Sequence, residues 1–299
     1  MTRKTKGVML GVVGTCAYGT NPLFALPLYK LGFGVNSVLF YRYLLALILY
    51  GLWVTAVKKH SLKVSAKQAL FLIPLGVVFS MSSLTLFMSY NYIGAGIAST
   101  ILFIYPIMVA IIMSVFFKEK LSLRTVGAIV LTTAGIAMFY EGKDGETLNM
   151  YGFFLVMMSA LSYALYMVAL KKTPALRHIP YTTLTFYVML FGISVFAFNL
   201  AAGVERIARP DTPFVWGCLL GVALFPTIVS LETMTITIKL IGPTLSAILG
   251  ALEPVTAVVI SVLLFGEAMT LKIAAGIVLI LSAVFLIVWK SKKKTKPNA

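Results

Sequence analysis

Residues 94–141 and 242–289 of this chain can be laid over one another without a gap, at a constant offset of 148. Gly94 then meets Gly242, Pro106 meets Pro254, Phe117 meets Phe265, Glu119 meets Glu267, Ser122 meets Thr270 and Arg124 meets Lys272. With small shifts the match runs back to the start, where Gly7 and Tyr18 meet Gly152 and Tyr163, and Gly76 meets Gly221. A chain that repeats itself over its length folds as two copies of one unit. The expected division is a first repeat over 1–141, a connecting loop over 142–150, a second repeat over 151–290 and a basic tail over 291–299.

Each unit reads as five apolar stretches of about 17–25 residues, long enough as helices to cross a hydrocarbon core roughly 30 Å thick. They run over 7–28, 36–57, 68–90, 94–117 and 123–140 in the first unit, and over 151–170, 180–203, 214–238, 242–265 and 271–289 in the second. Of the 299 residues 60% are hydrophobic and only 11% charged, which excludes a water-soluble domain. The runs are continuously apolar rather than alternating with period two, so helices are expected and not a barrel. Because Asn21, Pro22 and Pro27 lead directly into a second span, the first stretch reads as a helix and not as a cleaved leader. The two cysteines, Cys16 and Cys218, fall inside apolar runs and read as small core residues.

Five is an odd number of crossings, so the second unit enters the membrane upside down relative to the first. The fold class expected is therefore an all-α membrane protein, with ten transmembrane helices arranged as two inverted five-helix repeats. The net charge of +16 fits that reading without nucleic acid. With the amino terminus in the cytoplasm, the outer segments hold only Lys30, Lys143, Arg206, Arg209 and Lys272, Arg42 lies inside the second span, and the rest of the 25 basic residues fall on the inner side. That asymmetry places both termini in the cytoplasm, and the excess positive charge is drawn to anionic inner-leaflet lipid. Inverted repeats provide two related conformations, one open to each side, so the sequence points to alternating access.

The pattern Tyr105-Pro106 through Phe117-Lys-Glu119-Lys-Leu-Ser122 recurs as Leu252-Glu-Pro254 through Phe265-Gly-Glu267-Ala-Met-Thr270, each followed by a Gly-rich helix. With Phe225-Pro226-Thr227 and Ile241-Gly-Pro-Thr244, it resembles the EamA-type branch of the drug/metabolite transporter superfamily over essentially the whole chain. The resemblance implies a ten-helix bundle that moves small polar metabolites, commonly as an exporter of amino acids or related compounds, by secondary transport. It implies an integral protein of a bacterial inner (plasma) membrane. A solute of another class, such as a nucleotide sugar or a drug, remains open, as does a non-transporting scaffold or receptor.

Three charged side chains lie well inside spans, away from their ends; a charge near the bilayer centre costs about 2.5–3.5 kcal/mol on insertion scales, and none of the three is expected to face lipid. Glu253, near the middle of its span, reads either as a protonatable group coupled to transport or as a structural carboxylate bonded to backbone freed by Pro254. Glu232 is the second proton-coupling candidate. Arg42 reads as a fork for a substrate carboxylate, as the locked partner of a glutamate, or as a side chain snorkelling outward past Tyr41 and Tyr43. Lys239 is expected to anchor the bundle at the cytoplasmic interface. Pro106 and Pro254, at equivalent places in the two units, mark the expected hinges, and interrupted helices of this kind point to a central site. Tyr18, Asn21, Tyr90, Asn91, Tyr105, Tyr163 and Tyr166, with Arg42, are the candidate substrate-binding residues, since tyrosine offers both a stacking face and a hydrogen-bond donor.

Other chemistries lack their equipment. His60 and His178 fall in basic loops, every Asp lies in a loop, and neither a zinc-protease motif nor a Gly-rich phosphate loop occurs. No metal, cofactor or enzymatic step is expected. The expected partners are a small-molecule substrate, the lipid bilayer and, through the glutamates, protons.

Overall fold

The computed structural model describes residues 2–59, 61–93, 98, 101–138, 149–265 and 270–288. His60, Gly94, Gly96, Ser99, Glu267, the connecting loop up to residue 148 and the basic tail lie outside the described residues. Among those described, the chain is helical with short turns and no strand.

The first pass is α1 (Arg3–Gly19) followed by α2 (Asn21–Lys30). The next four are α3 (Val35–Leu52) with a wider turn over Trp53–Val57, α4 (Ala66–Ser89), α5 (Tyr105–Phe117) and α6 (Leu123–Ala137). The second half repeats them as α7 (Met150–Lys172), α8 (Tyr181–Ala201), α9 (Pro213–Ala223) continuing through a π-helical turn into α10 (Ser230–Ile241), α11 (Pro243–Leu249) with α12 (Leu252–Phe265), and α13 (Leu271–Val288). Among the described residues the helices follow the apolar stretches and match their bounds to within a few residues, except that α5 begins at Tyr105, inside the stretch 94–117.

Local chemistry sets several of the starts. Ser65 accepts from Gln68 N at 3.2 Å while Gln68 Oε1 accepts from Ser65 N at 2.9 Å, a reciprocal cap on α4. Asn149 Oδ1 accepts from Gly152 N at 3.0 Å to open α7, and Thr212 Oγ1 accepts from Val215 N at 3.3 Å to open α9.

The prolines interrupt their passes in different ways. Pro22, Pro106 and Pro254 do not bend a continuous helix. Each sits in the first turn of a new segment, where a missing N–H costs nothing. Pro226 lies within the π-helical turn Leu224–Val229. Lacking an N–H, it leaves Val222 O free, and Thr227 Oγ1 donates to that carbonyl at 2.7 Å. Pro27 and Pro74, by contrast, stay inside unbroken helices α2 and α4.

Packing is symmetric under exchange of the two halves. α1 packs on α10 and α12, and their counterparts, α7 on α4 and α5, pack in the same way; α3 meets α8, and α6 meets α13, each with its own equivalent. Surface exposure follows the same pairing: Leu123 and Leu271 are 91% and 90% exposed, and Val130 and Val278 are 60% and 61% exposed. These aliphatic side chains form the lipid-facing belt of a membrane bundle. With five crossings per half, the two halves run in opposite directions.

Candidate central cavity

Three interruptions converge on one cavity. Gly19, Asn21 and Pro22 come from the break in the first pass, Phe103 and Tyr105 from the turn before α5, and Glu253 and Pro254 from the start of α12. Tyr18, Leu86, Tyr90 and Leu102 complete the wall. Under the 148-residue offset, Tyr105 and Glu253 are equivalent positions, so the two halves present corresponding points of their chains to the same space.

The wall is apolar and aromatic apart from Asn21, three tyrosine hydroxyls and one charge. That charge is Glu253; none of the lining residues is basic. A break places it there: the turn at Gly250–Ala251 separates α11 from α12, and Glu253 N donates to Gly250 O at 2.9 Å. Gly250 also admits Tyr105, whose hydroxyl donates to Ala247 O at 3.1 Å; a Cβ at Gly250 would overlap that hydroxyl. The Tyr105 ring stands edge-on to Tyr163 at 4.9 Å, and Tyr163 stacks on Tyr166 at 6.2 Å. These rings extend the aromatic wall behind the cavity without lining it.

Arg42 sits behind the cavity, fully buried. Its Nη1 donates to Asn21 Oδ1 at 3.1 Å, Nε to Thr227 Oγ1 at 2.5 Å and Nη2 to Pro226 O at 3.0 Å. The rings of Phe87 and Tyr18 flank the guanidinium at 5.6 and 5.9 Å. The side chain thus does not snorkel, and its partners are neutral oxygens rather than a glutamate. It joins the break in the first pass to the π-helical turn of the eighth.

The remaining candidates lie elsewhere. Asn91 is exposed beyond the end of α4 and does not line the cavity. Tyr166 is buried, its hydroxyl 3.5 Å from Thr235 Oγ1. Glu232 is half-buried on α10, away from the cavity, near Tyr50 and Thr185. Lys239 Nζ donates to Leu176 O and Ile179 O, both at 2.9 Å, fastening the α7–α8 turn to α10.

Two end closures escaped the sequence. At the end of the bundle where α1 begins, α1 lies against α10 through glycines: Thr237 Oγ1 donates to Gly7 O at 3.1 Å, and a Cβ at Gly14 would stand 2.9 Å from Met234 Cγ. The opposite end is tied by Glu205, whose Oε2 accepts from Asn36 N at 2.8 Å and whose Oε1 accepts from Ser37 N and Ser37 Oγ at 2.9 and 2.6 Å. This carboxylate caps α3 from a loop some 169 residues away. No local pattern announces such a cap; the only available signal was an acidic residue in a loop next to an uncapped helix start.

Comparison with known proteins places this arrangement. The model of the EamA-like transporter family matches residues 5–140 and 150–289, one match for each half. The chain is 26% identical to YvbV of Bacillus subtilis (strain 168), described as an uncharacterized transporter, over 73% of each chain. It is 23% identical to YcbK of the same organism, also an uncharacterized transporter, over 89% of this chain and 87% of that one. An uncharacterized transporter of Archaeoglobus fulgidus is 23% identical over 71% of this chain and 75% of its own. A solved crystal structure superposes with a TM-score of 0.79 over 96% of this chain and 97% of its own, at 15% identity, which shows a shared fold.

Proposed function

The chain belongs to the EamA-like transporter family, and from that premise we propose that it is a secondary carrier which exports small polar metabolites such as amino acids by alternating access. One observation supports this reading above the others: interrupted helices from both inverted halves meet at a single cavity, while the glycine seam between α1 and α10 closes the bundle at one end. Alternating access would open this seam in one state and its counterpart between α4 and α7 in the other. The reading places the protein in a bacterial inner membrane with both termini in the cytoplasm, so that the α1–α10 seam is the cytoplasmic gate. It involves no covalent chemistry.

In this reading Pro106 and Pro254 are hinges, because each begins a segment that can tilt without breaking a ladder of hydrogen bonds. Arg42 positions Asn21 rather than touching solute, and Glu253 is the group that meets it. Proton coupling falls to Glu253, inside the cavity, or to Glu232, outside it.

The test is flux into proteoliposomes from a panel of labelled metabolites, with and without a pH difference. A carrier shows saturable flux and accelerated exchange when unlabelled solute is present on the far side; absence of both for every solute refutes it. Replacing the coupling glutamate by Gln removes the dependence on the pH difference, and retention of that dependence in both Glu253→Gln and Glu232→Gln refutes proton coupling through these residues.

A further inference from the structure

Two polar groups of the cavity wall have no partner among the described residues. Glu253 is the one charged residue of the lining, and its carboxylate makes no hydrogen bond or ion pair among the described residues. Asn21 is buried, 3% exposed, and its orientation is fixed: a guanidinium carries only donors, so the amide oxygen must face Arg42 Nη1. That leaves Asn21 Nδ2 as an unpartnered donor. Arg42, the nearest cation by sequence expectation, is occupied by Asn21, Thr227 and Pro226 and does not reach the lining.

A carboxylate left without a counter-ion at membrane depth is expensive unless something else neutralises it. The rings around it, Tyr18, Tyr90, Tyr105 and Phe103, offer π faces and edges, surroundings that favour an organic cation and disfavour an anion. The donor on Asn21 calls for an acceptor on the same ligand.

We propose that the cavity recognises organic ammonium ions bearing a carbonyl or hydroxyl oxygen, with the ammonium group held by Glu253 and the oxygen by Asn21 Nδ2, and that it rejects simple carboxylates. This rests on the carrier reading above for its role in transport, though not for binding. Amino acids satisfy it through their ammonium group, and their amides, esters and amino alcohols satisfy it without the added anion. The recognition is charge-assisted at one point and neutral at the other, so loss of the amine is the larger defect.

The experiment measures ligand affinity of the purified full-length protein in lipid nanodiscs, where no flux is needed. The probes are phenylalaninamide, 3-phenylpropanamide, phenethylamine and 3-phenylpropionate, with alaninamide, propanamide and propionate as a smaller set. Phenylalaninamide or alaninamide is expected to bind at least tenfold tighter than the matching compound without the amine, and the carboxylates are expected to bind weakest. Glu253→Gln removes at least tenfold of the amine affinity. Binding of no probe, carboxylates binding as tightly as amino amides, or undiminished amine affinity in a folded Glu253→Gln protein overturns the proposal. The comparison among probes on the unaltered protein decides the matter even where Glu253→Gln fails to fold. Amine binding without flux in proteoliposomes would sustain this inference and sink the carrier reading; saturable flux of amine-free solutes, indifferent to Glu253, would do the reverse.

Discussion

Arg42 Nη1 donates a 3.1 Å hydrogen bond to Asn21 Oδ1, linking the second crossing to the break in the first. Because Nε and Nη2 of the same guanidinium hold Thr227 and Pro226, one buried cation fixes three crossings around the cavity wall. Arg42→Ala is expected to lower stability by about 3–5 kcal/mol, since several buried acceptors lose their donors and a void remains. A thermal melt of the solubilised protein reads that loss. Binding of carboxylate and neutral solutes should weaken alike; a loss confined to carboxylates would put the guanidinium in contact with solute instead.

Thr227 serves both Arg42 Nε and Val222 O, the carbonyl left free by Pro226. Thr227→Val keeps the shape and removes both bonds, so a drop of about 1–3 kcal/mol is expected. Thr227→Ser, which retains the hydroxyl, should recover most of it. Equal melting temperatures for the two variants would mean that the π-helical turn does not depend on this hydroxyl.

Glu205 caps α3 with both carboxylate oxygens. Glu205→Gln replaces one acceptor by a donor facing backbone N–H groups, and the expected cost is about 1–2 kcal/mol. Hydrogen exchange should show it as faster exchange at the start of α3, at Asn36 and Ser37; uniform exchange across the bundle would argue against a local cap.

The glycine seam between α1 and α10 yields a test of motion. A Cβ built on Gly7 lies 3.7 Å from Ile241 Cβ, within the range a disulfide spans. Gly7→Cys combined with Ile241→Cys, in a chain with Cys16 and Cys218 replaced by Ser, should cross-link under oxidation and arrest flux, with reduction restoring it. Flux that continues through a formed cross-link would show that this seam does not open.

Overfilling the same seam should act without oxidation. At Gly11 a Cβ would lie 3.1 Å from Thr237 Cγ2, so Gly11→Leu is expected to lower the melting temperature through about 1–3 kcal/mol of overpacking. Gly217→Leu, at a glycine with open space around it, serves as the control and should melt like the parent.

Sequence periodicity reached the crossings because a helix in lipid must satisfy its own backbone and expose apolar side chains, and both demands are written residue by residue. It also reaches part of the cavity: Tyr18, Asn21, Tyr90, Tyr105 and Glu253 are polar or amphipathic groups inside spans, and all five line the space. Asn91, chosen on the same grounds, is exposed, because the pattern of a span does not say where its last turn ends. Tyr163 and Tyr166 point out a second limit, since a tyrosine facing another helix and a tyrosine facing a cavity have the same local sequence.

By itself, then, the chain's order of residues determined the ten crossings and their division into two units of opposite direction, since apolar length and odd crossing number are local or countable properties. Tertiary structure alone decided that Arg42 serves Asn21, Thr227 and Pro226, that Glu205 caps α3, and that Glu253 stands without a counter-ion among the described residues. Those outcomes join residues up to 185 positions apart, and a pairing at that distance is chosen by which surfaces meet when the halves pack, which no stretch of sequence contains.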